Sequence, residues 1–188
     1  MSTSCLCRIA AVLVAALTVI TSDAHAQEIV RVRVESPYLQ SVLARASDKS
    51  LTLRRLTDRI EASNVIVYIT CEHFRSLMLR GQTTLMSASG EVRYIGVQVD
   101  CMLPAVDLAA IVGHELRHVN EIPAATAVRD DRSFRRLFES IGFATCRSWA
   151  SEHFETTDAV EAGERVRQEY LGRASQVARR FEYVNLVR

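Results

Sequence analysis

His114 and His118 stand four residues apart with Glu115 beside the first of them, inside the apolar run from Val106 to Val119. On an α-helix, residues at that spacing lie one above the other, so both imidazoles can be directed at a single metal ion. Glu115 is turned about a quarter of the way round the helix, where its carboxylate can reach a water held by the metal rather than the metal itself. This is the spacing that metal-assisted hydrolysis needs. Zinc bound for catalysis takes three protein ligands and keeps a fourth position open for water. Two histidines are therefore insufficient, and beyond the first 26 residues the others are His73 and His153.

The elements that must position these side chains follow from apolar spacing. Pro104 suits a first helical position and Asp107 complements the positive end of the helix dipole, so a central helix is predicted over Val106 to Asn120. On that helix Ala109, Val112, Leu116 and Val119 fall away from the histidines and form a core-facing side, and Pro123 stops it. Before it, Glu91 to Asp100 alternates as a strand, with Ile95, Val97 and Val99 on one face and Tyr94, Gly96 and Gln98 on the other. Val65 to Thr70 is apolar on both faces, as in a strand buried within a sheet. Leu77 to Ser87 is expected to form one or two short strands around Gly81. Two amphipathic helices precede these strands, over Tyr38 to Ala46 and from Leu53 to Ala62. After the central helix come an amphipathic helix over Ser133 to Ile141 ended by Gly142, a loop or short helix over Phe143 to Phe154, and a long helix from Thr156 or Thr157 to about Leu171. Helices before and after a small mixed sheet make an α+β fold.

The N-terminus reads as an export signal. Arg8 supplies a positive start, Ile9 to Ile20 is apolar apart from Thr18, and Ala24-His25-Ala26 is a small-x-small cleavage site, so residues 1–26 are expected to leave and the mature chain to begin at Gln27. The apolar run is too short to span a bilayer permanently. The expected product is periplasmic or secreted, with residues 27–188 forming one domain. The formal net charge of +1 is spread over interspersed arginines and acids, with Lys49 the single lysine, and nothing in it points to nucleic acid. Cys71, Cys101 and Cys146 remain after processing, in a compartment that permits disulfides. With one antiparallel strand between them in sequence, the Val65 and Glu91 strands run the same way and end on the same side of the sheet. The expected disulfide is therefore Cys71 to Cys101, with Cys146 free.

His114-Glu115-Leu116-Arg117-His118 on a helix that follows a sheet strand resembles the active-site helix of the zincin metallopeptidases. The resemblance covers that helix and the strand before it. Glu121 stands where the histidine-closed branch has glycine, and no third histidine follows at that branch's spacing. The resemblance therefore implies the glutamate-type (gluzincin-like) branch, which takes its third ligand from a later helix. Taking Glu155 as reference on a helical wheel, Asp158, Ala159, Ala162, Val166 and Tyr170 share its stripe, and a carboxylate heading a buried stripe wants a partner such as a metal. The implied ligands are His114, His118 and Glu155 around Zn2+, with Glu121, Glu152, His153 and Asp158 as rivals for the third place. Asp158 is the implied second partner that orients a histidine, although Glu-x-x-Asp is one residue shorter than the spacing better known in that branch. Glu115 would serve as general base and acid on the zinc-held water, with a peptide or protein as substrate. The Glu91 to Asp100 strand would hold the peptide by edge pairing, and His153 or Tyr94 would steady the oxyanion. The alternative is a non-catalytic exported zincin-like domain that binds metal or a protein partner.

Overall fold

The computed structural model describes the backbone of residues 30–74, 79–148 and 151–173, and their side chains except those of 145–148 and 151–153. The expected signal peptide and cleavage site lie outside these residues. Among the described residues no helix is long and apolar enough to cross a membrane.

The chain opens with a short strand β1 (Val32–Val34), followed by two helices, α1 (Pro37–Lys49) and α2 (Leu51–Glu61). Ser36 starts α1 by accepting the Leu39 amide, and Ser50 starts α2 by accepting the Leu53 amide. Leu39, Val42 and Ala46 of α1 and Leu53, Leu56 and Ile60 of α2 are buried, which is the expected apolar spacing. β1 was not foreseen. Three residues are too few to show alternation, and the strand is held from a distance: it pairs parallel with the next strand, and the Glu61 carboxylate accepts the Arg31 and Val32 amides at 2.9 and 3.0 Å.

Three longer strands follow, β2 (Val65–Cys71), β3 (Gly81–Ser89) and β4 (Val92–Val99), and the sheet order is β1-β2-β4-β3. β2 and β4 are parallel and directly paired, whereas β3 is antiparallel on the outer side of β4. The sheet is thus mixed, as expected. Of the one or two short strands expected around Gly81, the described residues show one, which begins at Gly81, runs to Ser89 and has a register shift between Leu85 and Ser87. Residues 77 and 78 of the expected segment lie outside the described residues. The parallel register sets Cys71 opposite Val99, two residues before Cys101, and the Cys71–Cys101 disulfide forms with Cα atoms 5.4 Å apart. Closing a loop of this separation, 30 residues, stabilises the fold by about 3–4 kcal/mol on the chain-entropy account.

The helix α3 (Ala105–Glu121) leaves β4 through a turn fixed by Asp100. That carboxylate accepts the Met102 amide at 3.0 Å and Arg80 Nη1 at 2.6 Å, which lowers its pKa, the Met102 amide contributing most. Pro104 sits in the cap position, one residue before the expected first helical place. α4 (Asp131–Ile141) starts with an Asp130–Ser133 capping box and ends at Gly142. The segment expected as loop or short helix is instead a hairpin, β5 (Phe143–Ser148) paired antiparallel with β6 (Ser151–Glu155), before the last helix α5 (Thr157–Tyr170). Neither strand alternates cleanly and no Asn-Gly or Asp-Gly turn announces them, so neither period nor turn chemistry exposes the hairpin.

One core joins these elements. Val65, Val67 and Ile69 of β2 and Ile95, Val97 and Val99 of β4 face the helices, meeting Leu108, Val112, Leu116 and Val119 of α3 and Ala162 and Val166 of α5. Burying a side chain of this size stabilises by about 1.5–3 kcal/mol. The rear of α3 is therefore anchored firmly, and its other face is free to carry polar groups.

Candidate metal centre

His114 and His118 project from α3 on the side opposite Val112, Leu116 and Val119, which are fully or almost fully buried. The third group arrives at the junction of β6 and α5. Glu155 is the last residue of β6 rather than the head of a helix, and Thr156 behind it caps α5 by accepting the Ala159 amide at 3.2 Å. α5 reaches α3 through two glycines. A Cβ on Gly113 would lie 2.6 Å from Val166 Cγ2, and one on Gly163 would lie 3.1 Å from both His114 Cβ and the Ala110 carbonyl oxygen. Side chains at either position would push the helices apart and carry Glu155 away from the histidines.

Glu155 Oε2 lies 2.8 Å from His114 Nε2 and 3.6 Å from His118 Nε2. Ligand atoms from the three residues all lie within 4.8 Å of one another. Among the described residues, buried Glu155 Oε2 has no partner with proper hydrogen-bond geometry, although the two histidine nitrogens lie beside it. A buried carboxylate oxygen without a well-aligned donor is costly, and two nitrogens with one carboxylate oxygen are a donor set that a catalytic zinc takes with its fourth position open. The residues fit a metal. The arrangement of an HExxH helix with Glu155 as third ligand matches a gluzincin-type zinc-binding site.

No protein family, curated protein or solved structure gives a significant match to the chain. The likeness therefore rests on the site: an HExxH-plus-glutamate triad consistent with catalytic zinc metallopeptidases.

The electrostatics of the cluster follow from its closeness. Burial works against the charge on Glu155, but hydrogen-bonding distance and attraction to His114 and His118 outweigh it and lower its pKa to about 2. Burial likewise disfavours a charged His118, yet Glu121 and Glu155 outweigh it and raise its pKa to about 9. Without metal the site thus holds a proton on His118 that a metal must displace. Glu115 is 5% exposed, and its burial raises its pKa against the opposing pull of His114, His118 and the Thr83 hydroxyl. Thr83 Oγ1 donates to Glu115 Oε2 at 2.7 Å, and a Cβ on Gly81 would come within 2.5 Å of Glu115 Oε1. Strand β3 therefore lies against the carboxylate and fixes its direction.

Several expectations are placed differently. Asp158 does not reach a histidine: its Oδ2 pairs with Arg117, and its side chain is 62% exposed. The wheel that aligned it with Glu155 assumed one continuous helix, whereas Glu155 is on a strand. Glu121 does not join the ligand cluster; its oxygens meet His118 Nδ1 at 3.1 Å and the Thr156 hydroxyl at 2.8 Å. Tyr94 sits on the sheet face away from α3, out of step with the buried Arg93, Ile95, Val97 and Val99. Edge pairing through the Glu91–Asp100 strand is also ruled out, because β4 has β2 on one side and β3 on the other; β3 is the outer strand beside Glu115. The side chains of Cys146, Glu152 and His153 lie outside the described ones. Thr83 and the two glycines had no signal in the sequence, since their roles arise only when distant segments meet.

Proposed function

We propose that the chain is an exported zinc-dependent metallopeptidase whose residues 27–188 form the working domain. The observation that carries this reading is the convergence of His114 Nε2, His118 Nε2 and Glu155 Oε2, with buried Glu115 beside them. Zinc held by these three would supply Lewis-acid polarisation of the scissile carbonyl and lower the pKa of a bound water to about 7.

The chain's own residues account for the proton traffic. Glu115 accepts a proton from the water whose oxygen attacks the scissile carbonyl carbon. As the carbon–nitrogen bond breaks, the same carboxyl gives that proton to the departing amine. A pKa raised by burial suits a group that must both take and return a proton, and the Thr83 hydroxyl at 2.7 Å keeps one oxygen turned toward β3. An extended peptide added to the outer edge of β3 would run past this carboxylate, because β3 has β4 on one side only among the described residues. The leader pattern over residues 1–26 and the Cys71–Cys101 disulfide support an oxidising compartment, periplasmic or extracellular.

The test is zinc content and hydrolysis of an unfolded protein substrate by the purified protein. Glu115→Gln should retain stoichiometric zinc and lose turnover; Glu155→Ala should lose zinc. Retained turnover in the first variant sinks the mechanism, and retained zinc in the second moves the third ligand elsewhere.

A further inference from the structure

Glu121 lies one turn beyond His118 on α3, and its side chain is 8% exposed. Its Oε2 faces His118 Nδ1 at 3.1 Å, and its Oε1 accepts from the Thr156 hydroxyl at 2.8 Å. Arg117 Nη1 stands 3.9 Å from the same Oε1. A carboxylate oxygen serves as acceptor, so the 3.1 Å contact is a hydrogen bond when His118 Nδ1 is the donor. Nε2, the nitrogen that faces Glu155, is then the one whose lone pair becomes available to a metal once its own proton is displaced. Thr156 follows Glu155 directly and sets the start of α5. One carboxylate therefore grips both halves of the cluster: a histidine on α3 and, across a separation of 35 residues, the neighbour of the third ligand. Its approach to Nδ1, on the far side of the ring from Glu155, does not suit a ligand.

We propose that Glu121 is a positioning residue: through His118 Nδ1 it fixes the ring's tautomer, and through the Thr156 hydroxyl it holds Glu155 in register with the histidines. This rests on the zinc reading of the cluster. It transfers to a glutamate on the histidine helix the task that the resemblance had implied for Asp158. The link to Thr156 goes further, because the orienting group and the third ligand's position become one mechanical unit.

The experiment measures zinc affinity of the purified protein by competition with a chelator, and the His118 ring nitrogens of the zinc-loaded protein by nitrogen-15 NMR. Glu121→Ala should weaken zinc by about 10–100-fold, the usual cost of removing a group that orients a ligand. Glu121→Gln keeps an acceptor for Nδ1–H and a donor toward Thr156, so its loss should be less than about tenfold, with the Nδ1–H tautomer intact. Thr156→Val should weaken zinc while leaving the His118 tautomer unchanged. Wild-type affinity in Glu121→Ala overturns the proposal, as does a Gln variant as weak as the Ala variant, which would mark Glu121 as a direct ligand. If Glu121→Ala fails to fold, as a melt of the metal-free protein would show, Thr156→Val decides: wild-type affinity there overturns the link. A wild-type protein that binds no zinc removes the peptidase reading itself, whereas zinc-binding wild type with indifferent variants overturns this proposal alone.

Discussion

Gly113→Ala tests whether the close approach of α3 and α5 sets the metal site. The added methyl would lie 2.6 Å from Val166 Cγ2 and 3.2 Å from Val166 Cβ, about 1 Å inside ordinary carbon–carbon contact. Val166 is β-branched, so on a helix it has essentially one comfortable χ1 and cannot swing aside. The strain of overpacking is about 1–3 kcal/mol. Against it stands the gain of replacing a mid-helix glycine by alanine, about 1 kcal/mol. The net expected change is a loss of about 0–2 kcal/mol, modest in stability but directed at one of the contacts that bring Glu155 to the histidines. Zinc affinity should therefore fall more than stability alone accounts for. Chemical unfolding of the metal-free protein, read beside zinc competition, gives both numbers. The decisive comparison is a double-mutant cycle with Val166→Ala, which removes the obstructing methyls. In that background Gly113→Ala should become neutral or stabilising and should no longer weaken zinc. Equal effects of Gly113→Ala with and without Val166 would refute the claim that this contact positions the ligands.

Two further outcomes follow. His118 holds its proton to about pH 9 in the folded metal-free protein but only to about 6.5 when unfolded; the resulting stability is complete below 6.5 and is lost as pH rises through 9. The melting-temperature advantage of metal-free wild type over His118→Gln should accordingly shrink between pH 6.5 and 10, and a constant gap would contradict the His118–Glu121–Glu155 contacts. Asp158→Ala removes only an exposed pair with Arg117, so it should cost less than about 1 kcal/mol and leave zinc affinity at the wild-type level; a tenfold weaker site would restore its role as a histidine partner.

What could be read from the chain in advance divides along physical lines. The helix periods, the parallel pair β2 and β4 and the disulfide between their ends all follow from local patterning plus one topological step. Each depends on residues close in sequence or on strand direction alone. The hairpin of β5 and β6 pairs residues only three to twelve apart, but it carries neither clean alternation nor a recognisable turn pair, and missing it misplaced Asp158. A wheel drawn through Glu155 gave the right glutamate for an incomplete reason: α5 does bury Ala159, Ala162 and Val166, but Glu155 reaches the cluster as the end of a strand. Glu121 shows what remained legible. Its place three residues after His118 made it a rival to Glu155 for the third ligand place, and spacing alone does not separate a ligand from a group that orients one. The distinction depends on which ring nitrogen it meets and on Thr156 holding its second oxygen, and neither exists until the hairpin delivers Thr156 to α3. The third ligand and the group that orients the second histidine are thus fixed by the same tertiary contact, so a perturbation of either should be felt by both.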